Sequence, residues 1–78
     1  MRYFELASYP RKWNKALFPV LIHIDIEPVR WAEMDRTLSD QTQAKVLGHD
    51  EGDDGLLIAH IACTSAEVGA GLKARWSA

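Results

Sequence analysis

A single cysteine, Cys63, stands in this chain of 78 residues, so no disulfide can form within it. A lone thiol suits a reducing compartment. Long apolar runs are missing too. The longest, ALFPVLI over 16–22, stops at His23. A membrane-spanning helix needs roughly 20 such residues. The stretch MRYFELASYPRKW at the start has no apolar h-region of a secretory signal. The expectation is a cytoplasmic protein with no membrane association. Basic excess is also lacking: the net charge is −2. Nucleic-acid affinity rests on neutralising phosphates, so this balance argues against broad binding. The charge is uneven, however, with +3 on residues 1–15 and −5 on the remainder. No internal repeat, CxxC pair, Gly-rich phosphate loop or Ser–His–Asp pattern is present. No cofactor is implied, and an enzyme is the less favoured reading.

What is present is an ordinary globular content, 47% apolar and 26% charged, which argues against disorder of the whole chain. Seventy-eight residues make one domain, 1–78. A chain this short buries roughly 60% of its unfolded surface, and its stability is thin. With no disulfide, the remaining supports are well-fitted packing, a metal or a partner.

Periodicity divides the chain into elements. YFELA (3–7) has strand-like content, and Pro10 then breaks the pattern. Over 17–27 the residues Phe18, Val20, Ile22, Ile24 and Ile26 share one face of a strand. Leu21, His23, Asp25 and Glu27 share the other. EPVRWAEMDRTL (27–38) reads as a helix, with Pro28 at its first position and Trp31, Met34 and Leu38 on one side. Ser39 and Asp40 suit a fresh N-cap, so a second short helix is expected through Ala44, Val46 and Leu47, ended by Gly48. One bent helix is an equal reading. GLLIAHIACT (55–64) is the next clear strand: Leu57, Ala59, Ile61 and Cys63 face one way, and Leu56, Ile58, His60 and Ala62 the other. TSAE (64–67) has the form of a capping box, opening a helix through Val68, Leu72 and Trp76. Gly69 and Gly71 weaken that helix, and close contact with the sheet or another chain is their expected use.

These readings predict an α+β two-layer sandwich. Two to three helices cover one face of a three-stranded mixed sheet, in the order ββαβα. The crossover from 17–27 to 55–64 is expected to be parallel. The order resembles part of a ferredoxin-like fold with one strand missing, though no sequence motif supports a family.

Four constellations carry the functional candidates. The first is GHDEGDDG (48–55), with four carboxylates and a histidine. Counting an EF-hand loop from Asp50 puts Asp54 at position 5 and Gly55 at 6, but Gly52 at 3 and Ile61 at 12, so two ligands fail. A solvated helix-to-strand connection is preferred, with Asp50 and Asp54 as weak cation candidates. The second is the polar sheet face. His23, Asp25 and His60 suit Zn²⁺ binding or acid–base chemistry if their strands are neighbours. The third is the apolar part of that face. Tyr3, Leu21, Leu56 and Ile58, together with His23 and His60, form the preferred interface for a second copy or a protein partner. The fourth is RKWNK, where Arg11, Lys12, Trp13 and Lys15 offer charge and stacking to a single nucleic-acid strand. Folding of Trp13 onto the core, with its charges solvated, is the favoured reading. Cys63 and His60, three apart on a strand, point to opposite faces and make no nucleophile–base pair.

Overall fold

Residues 13–78 are described by the structure, a computed structural model. The expected strand over 3–7 lies outside the described residues. Trp13 turns back on the following loop, its indole Nε1–H donating to the carbonyl of Phe18 at 2.8 Å. The first strand, β1 (Val20–Ile26), starts directly after Pro19, which cannot donate to a ladder. It is followed by α1 (Pro28–Ser39), β2 (Ala44–Glu51), β3 (Leu57–Cys63) and α2 (Ala66–Trp76). The described elements therefore run β-α-β-β-α, not ββαβα.

The short helix expected over residues 39–47 does not form, and β2 replaces most of it. Ser39 instead closes α1, its hydroxyl donating to the carbonyl of Arg36 at 2.8 Å. Alternation explains the rest. In a strand, Ala44 and Val46 both reach the core while Lys45 stays in solvent. A helix would set Ala44 and Val46 about 200° apart, at opposite margins of its buried side and not together on one face.

The sheet order is β1-β3-β2, and both pairings are antiparallel. The expected mixed sheet is thus corrected to an antiparallel one. The crossover through α1 joins β1 to β2, and the two run parallel without touching. The β2–β3 hairpin then inserts β3 between them. Its turn is part of the GHDEGDDG stretch, which is strand and hairpin turn and not a helix-to-strand connection. Asp54 (φ 57°) and Gly55 (φ 78°) occupy the left-handed region, and the Leu56 amide donates to the Asp53 carbonyl at 3.0 Å. Asp-Gly at two such positions is the preferred chemistry of a tight hairpin turn.

Both helices feed one core. Met34 and Leu38 of α1 and Leu72 and Trp76 of α2 cluster with Ile24, Ile26, Ala59 and Ile61 from one sheet face. Cys63 belongs to the same cluster, and burial pushes its thiol pKa up. Arg30 of α1 and Arg75 of α2 lie over the Trp76 ring, with guanidinium carbons 4.8 and 5.3 Å from its centroid. The α2 cap sits one residue later than expected. Ser65 accepts from the Val68 amide at 3.2 Å, while the Thr64 amide is used by the Gln43 carbonyl.

The two glycines of α2 differ. A Cβ on Gly69 would meet Ile22 Cγ2 at 2.9 Å, so this turn of the helix lies against the sheet as its glycine suggests. Around Gly71 nothing lies within 4 Å. Gly71→Ala is therefore expected to raise stability by about 1 kcal/mol. Gly69→Ala should lower it, because overpacking against a stiff β-branched side chain costs about 1–3 kcal/mol. Urea unfolding of the two variants checks the opposite signs.

Candidate functional site

β1 and β3 are neighbours, which meets the condition for the histidine candidates to converge. His23 and His60 sit directly opposite each other in the ladder. Their Nδ1 atoms are 2.9 Å apart, and the rings meet edge to face with centroids at 5.0 Å. The far side of His60 is also engaged: Nε2 lies 3.1 Å from Asp50 Oδ2. His60 has no exposed side-chain surface, whereas Asp50 keeps 29% of its own. The carboxylate thus joins a fully desolvated ring to the protein surface.

Asp50 reaches this face because β2 carries a bulge. Val46 pairs with Ile61 and Gly48 with His60, so Leu47 is an extra residue on the β2 side. Without it, strict alternation would turn Asp50 toward the helices. The bulge reverses the parity and sets Asp50 opposite Ile58, diagonal to His60 on the same face. Gly48, directly across from His60, adds no side chain there. His49 points the other way, with its ring centroid 4.5 Å from that of Trp31.

Hydrogen-bond roles follow from these contacts. A carboxylate can only accept, so His60 Nε2 carries the proton toward Asp50. Neutral His60 then has its lone pair on Nδ1 and accepts from Nδ1–H of His23. The lone pair of His23 falls on Nε2. Burial is the main reason the pKa of each ring lies below 6.5, the ordinary histidine value. The charge of His60 and that of Lys73 lower His23 further. For His60 the hydrogen bond and charge of Asp50 oppose the effect of burial, and His49 adds to it.

The other candidates are placed differently. Asp25 pairs across from Ile58 and makes no hydrogen bond to either histidine; the carboxylate of the network is Asp50. The sequence signal for Asp50 was its place in an acidic stretch, but its parity depended on the bulge. Asp54 sits in the hairpin turn. Among the described residues, no three His, Cys, Asp or Glu side chains are disposed to hold a metal ion together. His60 in particular has both ring nitrogens occupied. Leu21, Leu56 and Ile58 are each half-buried, and His23 is exposed. Tyr3, Arg11 and Lys12 lie outside the described residues. Trp13 is half-buried, and Lys15 lies over its ring at 5.0 Å. No helix among the described residues is long and apolar enough to cross a membrane.

Comparison with known proteins gives no match: no family model, no curated protein and no solved structure is significantly similar to this chain.

Two outcomes are expected. Removing the acceptor in Asp50→Ala leaves a buried N–H without this partner and should cost roughly 1–3 kcal/mol in urea unfolding at neutral pH. In the wild type, both histidine pKa values are lower in the folded chain than in the unfolded one. The unfolded state therefore binds more protons as pH falls. Stability should be full above pH 6.5 and decline as pH drops through the lower folded values. Unfolding curves at about pH 7.5 and 5.5 test this, and equal midpoints would contradict it.

Proposed function

We propose that this chain is a small interaction domain that associates through the sheet face opposite its helices, with a second copy of itself as the partner. The observation that carries this reading is the company kept by the histidine pair. Half-buried Leu21 and Ile58 flank it on adjacent strands, beside exposed His23 and Asp25. A face that mixes apolar area with a few directed polar groups is suited to association. The thin core of so short a chain gives pairing a thermodynamic benefit. The β-α-β-β-α order of the described elements, with β3 between β1 and β2, further supports a ferredoxin-like arrangement. A second reading, a ligand-binding or acid–base site at His23 and His60, is favoured by the 2.9 Å contact between their rings.

Sedimentation equilibrium across micromolar to millimolar concentration decides the first reading. Self-association is expected, and Leu21→Glu or Ile58→Lys should abolish it with an unchanged far-UV circular dichroism spectrum. A wild-type chain that stays monomeric at millimolar concentration would sink it.

A further inference from the structure

The network Asp50–His60–His23 contains more than a polar contact. It spans the three described strands, with one residue from each. Its two N···O and N···N distances, 3.1 and 2.9 Å, are ordinary hydrogen-bond lengths. Counting protons in it leads to a definite chemical property. In the neutral state one proton lies on His60 Nε2, donated to Asp50, and one on His23 Nδ1, donated to His60 Nδ1. A further proton arriving at His23 Nε2 makes that ring an imidazolium, and both hydrogen bonds survive. The proton between the two Nδ1 atoms can then shift to His60. The charge now lies on His60, against the Asp50 carboxylate, and His23 is left neutral with its proton on Nε2. Both hydrogen bonds survive again. A second added proton has no such arrangement. Each Nδ1 would carry a hydrogen, and two N–H groups would face each other across 2.9 Å.

We propose that Asp50, His60 and His23 form an acid–base relay that takes up one proton in place of two, shared between the facing Nδ1 atoms and passed from exposed His23 to buried His60. The relay converts a solvent-side protonation into a charge beside Asp50 with no movement of the backbone. It is a proton-transfer centre on the sheet face, whatever that face binds. Among the described residues, the charged and titratable groups around it are Asp50, His49 and Lys45 on β2, Asp25 on β1 and Lys73 on α2. Of these, Asp50 favours the added proton, while His49 and Lys73 oppose it.

The test is a pH titration of the uniformly ¹⁵N-labelled full chain, followed through long-range ¹H–¹⁵N correlations of the imidazole nitrogens. At high pH His60 should show the Nε2–H tautomer and His23 the Nδ1–H tautomer. On acidification the two rings should move together through one transition amounting to a single proton, with its midpoint below 6.5, the ordinary histidine value. Asp50→Asn should move that midpoint lower, since the charge that favours the cation is gone. His23→Phe should leave His60 to titrate without a companion transition. Two independent one-proton transitions in the wild type, or a His60 ring with its proton on Nδ1 at high pH, would overturn the proposal. Because tautomers and midpoints are read in the monomer as well as in any assembly, this result is separate from whether the sheet face associates.

Discussion

β3 is hydrogen-bonded on both edges and fully buried over residues 59–63, so each of its side chains must be matched by something other than water. On the helix side Ala59, Ile61 and Cys63 meet this demand with apolar packing. On the other side it falls on His60, a polar ring with no exposed surface. An unpaired buried imidazole would cost a large part of the small stability available to a chain of this size. Its two nitrogens must therefore find partners on the flanking strands. β1 supplies a donor and β2 supplies an acceptor.

That demand links strand register to chemistry. Slipping β1 by one residue against β3 would set Ile22 or Ile24 opposite His60, turn His23 to the helix side and break the pair. In β2 the extra residue Leu47 does the converse: it shifts a parity that would otherwise turn Asp50 to the helix side, opposite Leu57, where exposed Glu51 now stands. The bulge therefore serves the polar network. It is also the reason an acidic stretch that looks like a solvated loop contributes one of its members to a buried contact.

Helix-side packing has its own geometric condition. α2 approaches the sheet closely enough at Gly69 that no side chain fits over Ile22. Farther along, Trp76 closes the core, and arginines from both helices cover its ring. The Ala78 amide then donates to the Asp25 carbonyl at 2.8 Å, tying the end of the described chain to the strand that carries His23. The end of α2 is thus tied to β1, which packs Ile24 and Ile26 into the core on one face and carries His23 on the other.

By itself the sequence determined whatever depends on local period and local chemistry. The alternation in VLIHIDI and LIAHIAC defined two strands and assigned His23 and His60 to their polar faces. The spacing of Trp31, Met34 and Leu38, and of Val68, Leu72 and Trp76, defined two helices with one buried side each. Tertiary structure decided what depends on which strands are neighbours. AKVLGH is too short and too mixed for its period to distinguish a helical turn from a bulged strand. Pairing with the open edge of β3 settled it as β2. That insertion made the sheet antiparallel, placed the two histidines face to face and brought Asp50 in place of Asp25. No local pattern encodes these outcomes, because each one is set by the partner across the ladder and not by the residue's own neighbours in the chain.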